Sequence, residues 1–160
     1  ADLRAVQWGK LLLNLNNPVN ALSGQPLRAQ LMERGYRQCL AALQTEALDV
    51  LRTARITPAQ VGALPPHRIP TLLRLPTPLF KLIAARMLRI APQARSSMAD
   101  DLALGRATEI DALCGEVVRL AESQALQAPI NARMVALVKA WPQQRTPMDS
   151  RTMKAALGVR

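Results

Sequence analysis

Lys10, Asn14 and Asn17 interrupt a run of leucines at spacings of four and three, so a helix built there carries all three on one stripe. One ammonium followed by two amides differs from the mixed charges of an ordinary solvated face. On a largely buried helix such groups are costly unless something satisfies them. Two readings fit: they line a site for a small polar ligand, or the amides bond to neighbouring helices while Lys10 snorkels to water. Other site chemistries are missing. The seven glycines do not cluster, so there is neither a GxGxxG turn nor a P-loop, and no phosphate cradle. No GxSxG, HExxH or dense carboxylate cluster occurs, and Cys39, Cys114 and His67 cannot form a structural zinc site. No metal ligation is expected.

The elements that must position these residues read as helices throughout. Leu, Ala, Arg, Gln and Glu dominate, and 160 residues suffice for one core with no obvious point of division. The composition predicts an all-α domain of about six to eight helices. The first spans about Ala5 to Leu22 and is bent by Pro18, which frees carbonyls near Asn14. A short helix follows Pro26 and is broken by Gly35. The longest runs from Tyr36 to about Arg55, with Tyr36, Leu40, Leu43, Ala47 and Val50 as its buried stripe. Residues 56–95 form a proline-rich excursion within the domain, with a short helix at Pro70–Leu75 and a longer one at Leu79–Leu88. There Leu72, Leu73, Leu75, Leu79, Phe80 and Ile83 are expected to seek burial.

Ser96 or Ser97 caps a helix that ends at Gly105. Thr108 caps a helix from Glu109 to about Ala125, and Pro129 opens another that ends near Trp141. The domain is accordingly drawn as residues 1–141. Residues 142–160 read as a polar, partly frayed tail in which Met148 to Leu157 can form a loose helix.

The net charge of +10, from 21 basic and 11 acidic residues, raises an anionic partner. The cations are scattered singly, however, and one Phe, one Tyr and two Trp offer little for base stacking, so nucleic acid is not expected. No apolar segment approaches spanning length, and no membrane association is expected. Two isolated cysteines suit a reducing cytoplasm. The chain starts without methionine and enters a helix almost at once, as a piece of a longer protein would.

Two segments, WGKLLLNLNNPVNALSG (Trp8 to Gly24) and SSMADDLALGRATEIDALCGEVVRLAESQALQAPINARMVALVK (Ser96 to Lys139), closely resemble the C-terminal helical domain of ketopantoate reductases (2-dehydropantoate 2-reductases). The resemblance covers most of the chain from Trp8 to Lys139 and is weakest over residues 56–95. It implies a helical domain of the 6-phosphogluconate dehydrogenase C-terminal type. It also implies NADPH-dependent reduction of a 2-keto acid, either ketopantoate to pantoate in pantothenate biosynthesis or a related substrate. The dinucleotide would be bound chiefly by an N-terminal Rossmann domain that lies outside this chain, so the fragment alone is expected to be inactive.

On matching positions, the resemblance makes Lys10 the general acid that polarises and protonates the ketone, held by Asn14. Ser97 would bind the substrate carboxylate. Glu109 would contact a substrate hydroxyl and the nicotinamide ribose region. The family's second asparagine, eight residues after the lysine, is here Pro18; Asn17 takes its place only if one residue is deleted from the helix. Cys114 stands where I-N-G has asparagine. These departures leave the particular 2-keto acid open, and a homodimer is also left open. The alternative is a non-catalytic helical module that oligomerises or binds an anionic partner.

Overall fold

The computed structural model describes residues 2–160, and every regular element in it is helical. The expected first helix is two: α1 (Leu3–Asn14) and α2 (Asn16–Ser23). Asp2 caps α1 through its carboxylate, which accepts from the Arg4 amide at 3.0 Å. Pro18 has no N–H to give the Asn14 carbonyl, so the break falls one turn before the proline. Gly24, at φ 66°, closes α2 in the left-handed conformation that glycine adopts without strain.

Next come α3 (Leu27–Met32) and α4 (Arg34–Thr53). The break between them lies at Glu33, whose backbone is extended (φ −90°, ψ 117°), and not at Gly35 as the sequence suggests. Gly35 sits in the first turn of α4 for another reason: a Cβ there would lie 2.5 Å from Ser150 Oγ. The 20-residue α4 is the spine of the domain. Tyr36, Cys39, Leu40, Leu43, Ala47 and Val50 are all buried along it.

The proline-rich excursion contains α5 (Ile69–Leu73) and α6 (Thr77–Ile83), each with a proline in its first turn. It is bolted to α4 by Arg37, a fully buried arginine with no carboxylate partner. The guanidinium donates to the carbonyls of Leu73 (3.0 Å), Leu31 (2.9 Å) and Leu75 (2.8 Å) and lies 4.2 Å from the centre of the Phe80 ring. Leu31 and Leu73 stand in the last turns of α3 and α5, where unpaired carbonyls and the helix dipole both favour a cation. Arg34 repeats the device on the Arg74 carbonyl.

Leu72, Leu73 and Phe80 are buried as the sequence predicts, but Leu79 and Ile83 are 44% and 56% exposed. Helix α6 ends at Ile83 and turns its Phe80 and Ala84 side inward, so the rest of its apolar surface faces out.

The second half is α7 (Ser97–Ala103), α8 (Cys114–Ser123), α9 (Pro129–Lys139), α10 (Trp141–Gln144) and α11 (Ser150–Leu157). Helix α7 packs on α2, while α8, α9 and α11 gather around α4. Glu46 on α4 accepts from the Ile130 and Asn131 amides at 3.0 and 2.8 Å, capping α9 from outside.

The frayed tail expected after residue 142 is not observed. Met153 and Leu157, four apart on α11, are fully buried in the core, and Asp149 caps the helix by accepting from the Thr152 amide. Tyr36 Oη donates to the Met148 carbonyl at 2.7 Å, and the Met148 amide donates to the Leu22 carbonyl at 2.8 Å. Residues beyond 142 are thus part of the same core. Breaks at Leu15, Glu33 and Leu113 divide the chain more finely than six to eight helices.

Candidate functional site

Helix α1 buries Trp8, Gly9 and Leu12 and, at its end, Leu15. It is held by Gln44, whose amide donates to the Leu12 carbonyl at 3.1 Å, and by the loop at Ala59. The Ala59 amide donates to the Ala5 carbonyl, and its carbonyl comes so close to Gly9 that a Cβ would sit 2.3 Å away. That leaves Lys10 and Asn14 on the opposite, exposed side, with Asn17 half-buried just past the break. The polar stripe is therefore the open face of a helix buried on its other side. It does not line an enclosed interior.

What fixes that face is a network of neutral groups. Asn16 and Gln30 exchange two amide hydrogen bonds, at 3.1 and 2.9 Å, tying α2 to α3. Asn20 is fully buried: its Nδ2 donates to the Gln25 carbonyl at 2.9 Å, and its Oδ1 accepts from the Ser96 amide at 3.0 Å. Ser96 Oγ donates to the Asn17 carbonyl at 3.3 Å and accepts from the Ala99 amide at 3.1 Å. Ser96 is thus the helix cap, and Ser97, the first residue of α7, is exposed with its hydroxyl uncommitted to capping.

The structure therefore brings Asn17 of α2 beside the Ser96–Ser97 start of α7, while Lys10 and Asn14 lie on the exposed side of α1, before the break at Leu15. Glu109 makes no contact of this kind. It is exposed, and among the described residues no hydrogen bond or ion pair joins it to Lys10. The helix expected from Glu109 begins only at Cys114. Glu109 leads into a 3₁₀ turn, Ile110–Ala112, and its carbonyl accepts from Ala112 and Leu113. Thr108 Oγ1 accepts from the Ile110 amide, so it caps this turn and not α8. The kink at Leu113 lets Ile110 and Leu113 both reach the core before α8 starts.

Sequence reasoning singled out Asn14 and Asn17 and passed over Asn16, Asn20 and Gln30, which do the structural work. The available signal was Asn16 and Asn20 four apart on one helix side, a second amide stripe offset from the first.

Chemically, these groups offer a cation, two amides, a hydroxyl and a carboxylate, of which only Asn17 is partly buried. This suits a small anion with further polar groups. For a dinucleotide the fit is partial: the exposed Glu109 carboxylate can accept from a sugar hydroxyl, but Lys10, Asn14, Asn17, Ser97 and Glu109 form no pyrophosphate cradle.

Fold and exposed polar groups together define an all-helical domain with a cation, amides, a hydroxyl and a carboxylate open to solvent. The chain belongs to the ketopantoate reductase family: residues 2–142 match the family model described as "Ketopantoate reductase PanE/ApbA C terminal". It is 29% identical over 146 residues to a 2-dehydropantoate 2-reductase of Caulobacter vibrioides, a match that takes in 87% of this chain and 42% of that protein. Its fold is similar to that of a dimeric ketopantoate reductase from Staphylococcus aureus, with a TM-score of 0.58 and 20% identity over 86% of this chain and 42% of that one. The chain thus spans well under half the length of these relatives.

Proposed function

We propose that this chain is the substrate-closing domain of an NADPH-dependent 2-keto acid reductase, with ketopantoate as the first candidate substrate. The observation that supports the reading is the exposure of Lys10, Asn14 and Ser97, with Asn17 held next to the start of α7 by the Ser96 hydrogen bond. Family membership supports it over a non-catalytic module.

NADPH, held mainly by a Rossmann domain of the same protein, supplies the hydride. Addition of hydride to the ketone carbon builds negative charge on oxygen. Lys10 Nζ, donating to that oxygen, stabilises the charge more as it develops than in the ground state, and delivers the proton. Asn14, one turn along, fixes the lysine and the substrate. Asn17 and Ser97 take the substrate's carboxylate and neighbouring polar groups, and Glu109 accepts from a substrate or ribose hydroxyl when the domains close. A cytoplasmic setting accords with two thiols left free in the core.

The test is NADPH consumption by the full-length protein across a panel of 2-keto acids that includes ketopantoate. Lys10→Ala should lower kcat by about 10²–10⁴ with an unaltered melting curve, because Lys10 is exposed. Unchanged turnover in that variant removes Lys10 from the chemistry, and no turnover of any 2-keto acid overturns the reading. This chain by itself should neither oxidise nor tightly bind NADPH; calorimetry that found submicromolar affinity would contradict the division of labour.

A further inference from the structure

We propose that a cleft between α3 and the turns after α6 binds a second ligand, an organic anion carrying two or more phosphate charges. The cleft has a volume of about 400 Å³, the size of a small-molecule pocket. Arg28 and Met32 form one wall, from α3, while Lys81, Leu88, Arg89 and Ile90 form most of the other. None of Lys10, Asn14, Asn17, Ser97 or Glu109 lines it.

Three cations face this space and no carboxylate does. Among the described residues, Arg28, Lys81 and Arg89 make no ion pair and no side-chain hydrogen bond. The other clefts with cations differ. Each includes at least one already neutralised: Arg52 by Asp49, Arg119 by Glu116, and Arg106 and Lys139 by Asp101 and Asp111. The imbalance extends along the sequence, since residues 50–99 contain eight Lys and Arg and no Asp or Glu. Like charges gathered in a concave site repel one another and focus a positive potential into it, and a multiply charged anion relieves both effects. Two guanidinium forks suit phosphate oxygens in particular.

The floor is apolar. Leu88 is 8% exposed, and Met32 and Ile90 are half-buried beside it, which gives the ligand's uncharged part a surface to lie on. The α3 wall is also fixed from behind, because Gln30 is fully buried and locked to Asn16. Arg28 is therefore presented from a braced helix.

The test is calorimetric titration of the full-length protein with inorganic pyrophosphate; heat from a dinucleotide site is told apart because the cleft variants leave it unchanged. A saturable site is expected. Arg28→Glu combined with Arg89→Glu should weaken it about tenfold or more, while Arg145→Glu, away from the cleft, leaves it unchanged. Lys81→Gln, a milder single change on the exposed rim, should weaken it in the same direction and covers the case of a double variant that fails to fold. Absence of saturable heat, or wild-type affinity in Lys81→Gln and in the folded double variant, overturns the proposal. The outcome does not depend on which 2-keto acid the enzyme reduces.

Discussion

Pro18 and Gln30 show how far single residues set the geometry of α1 and α2. The missing N–H of Pro18 ends α1 at Asn14, and Gln30 then holds the start of α2 by its double amide bond to Asn16. Gln30→Ala leaves the Asn16 side chain without its partner and should cost about 1–3 kcal/mol, read as a lower urea midpoint. Under the proposed reductase role, KM for the 2-keto acid should rise as well.

The placement of Lys10 and Asn14 on one side of α1 was legible because a spacing of four is a local property of a helix, but the break at Leu15, which puts Asn17 on another helix, was not. The brace was not, because Gln30 lies 14 residues from Asn16 and nothing local pairs them. The choice between Ser96 and Ser97 as cap was equally closed to sequence, since both chemistries suit the role and only the approach of α2 selects Ser96.

Among elements, the last helix is the clearest departure from expectation. Only Met153 and Leu157 of α11 reach the core, so its sequence reads as polar, yet those two side chains are fully enclosed. Met153→Ala should cost about 2–5 kcal/mol, measured by thermal or urea unfolding; a negligible loss would mean that α11 is loosely held in solution. The excursion is joined to α4 through Arg37 in a comparable way. Arg37→Met keeps volume but strips three buried carbonyls of their donor, and should cost about 3 kcal/mol or more. In sequence Arg37 looks like another dispersed surface arginine, because its carbonyl partners lie 6, 36 and 38 residues away. Helix type and the α4 stripe were readable from apolar periodicity, whereas such long-range polar ties were not.

At the scale of the whole molecule, the response to pH follows from three groups in the core. Burial pushes the thiols of Cys39 and Cys114 up to about 12 from an ordinary 9, and burial, with Glu33 next, pushes Tyr36 up to about 12 from 10. All three are protonated in the fold and ionise more readily once unfolded. Their contribution is therefore complete below about pH 9 and is lost as pH climbs toward 12. The urea midpoint should fall across that interval, and a flat profile would show that the core admits water there.

At the acid end, hydrogen bonding from the Thr152 amide, first among several causes, lowers the Asp149 carboxyl below its usual 3.8, so its small share is present above that value and lost beneath it. The chain holds one core from α1 to α11, and unfolding should be a single cooperative event under both extremes.

The frame behind Asn17 and Ser97 contains no acid and no base. Asn16, Asn20, Gln30, Ser23 and Ser96 bind one another through uncharged amides and hydroxyls. Protons and dissolved ions have nothing in it to act upon. The scaffold that carries Asn17 and Ser97 should therefore hold its shape between mild acid and mild alkali.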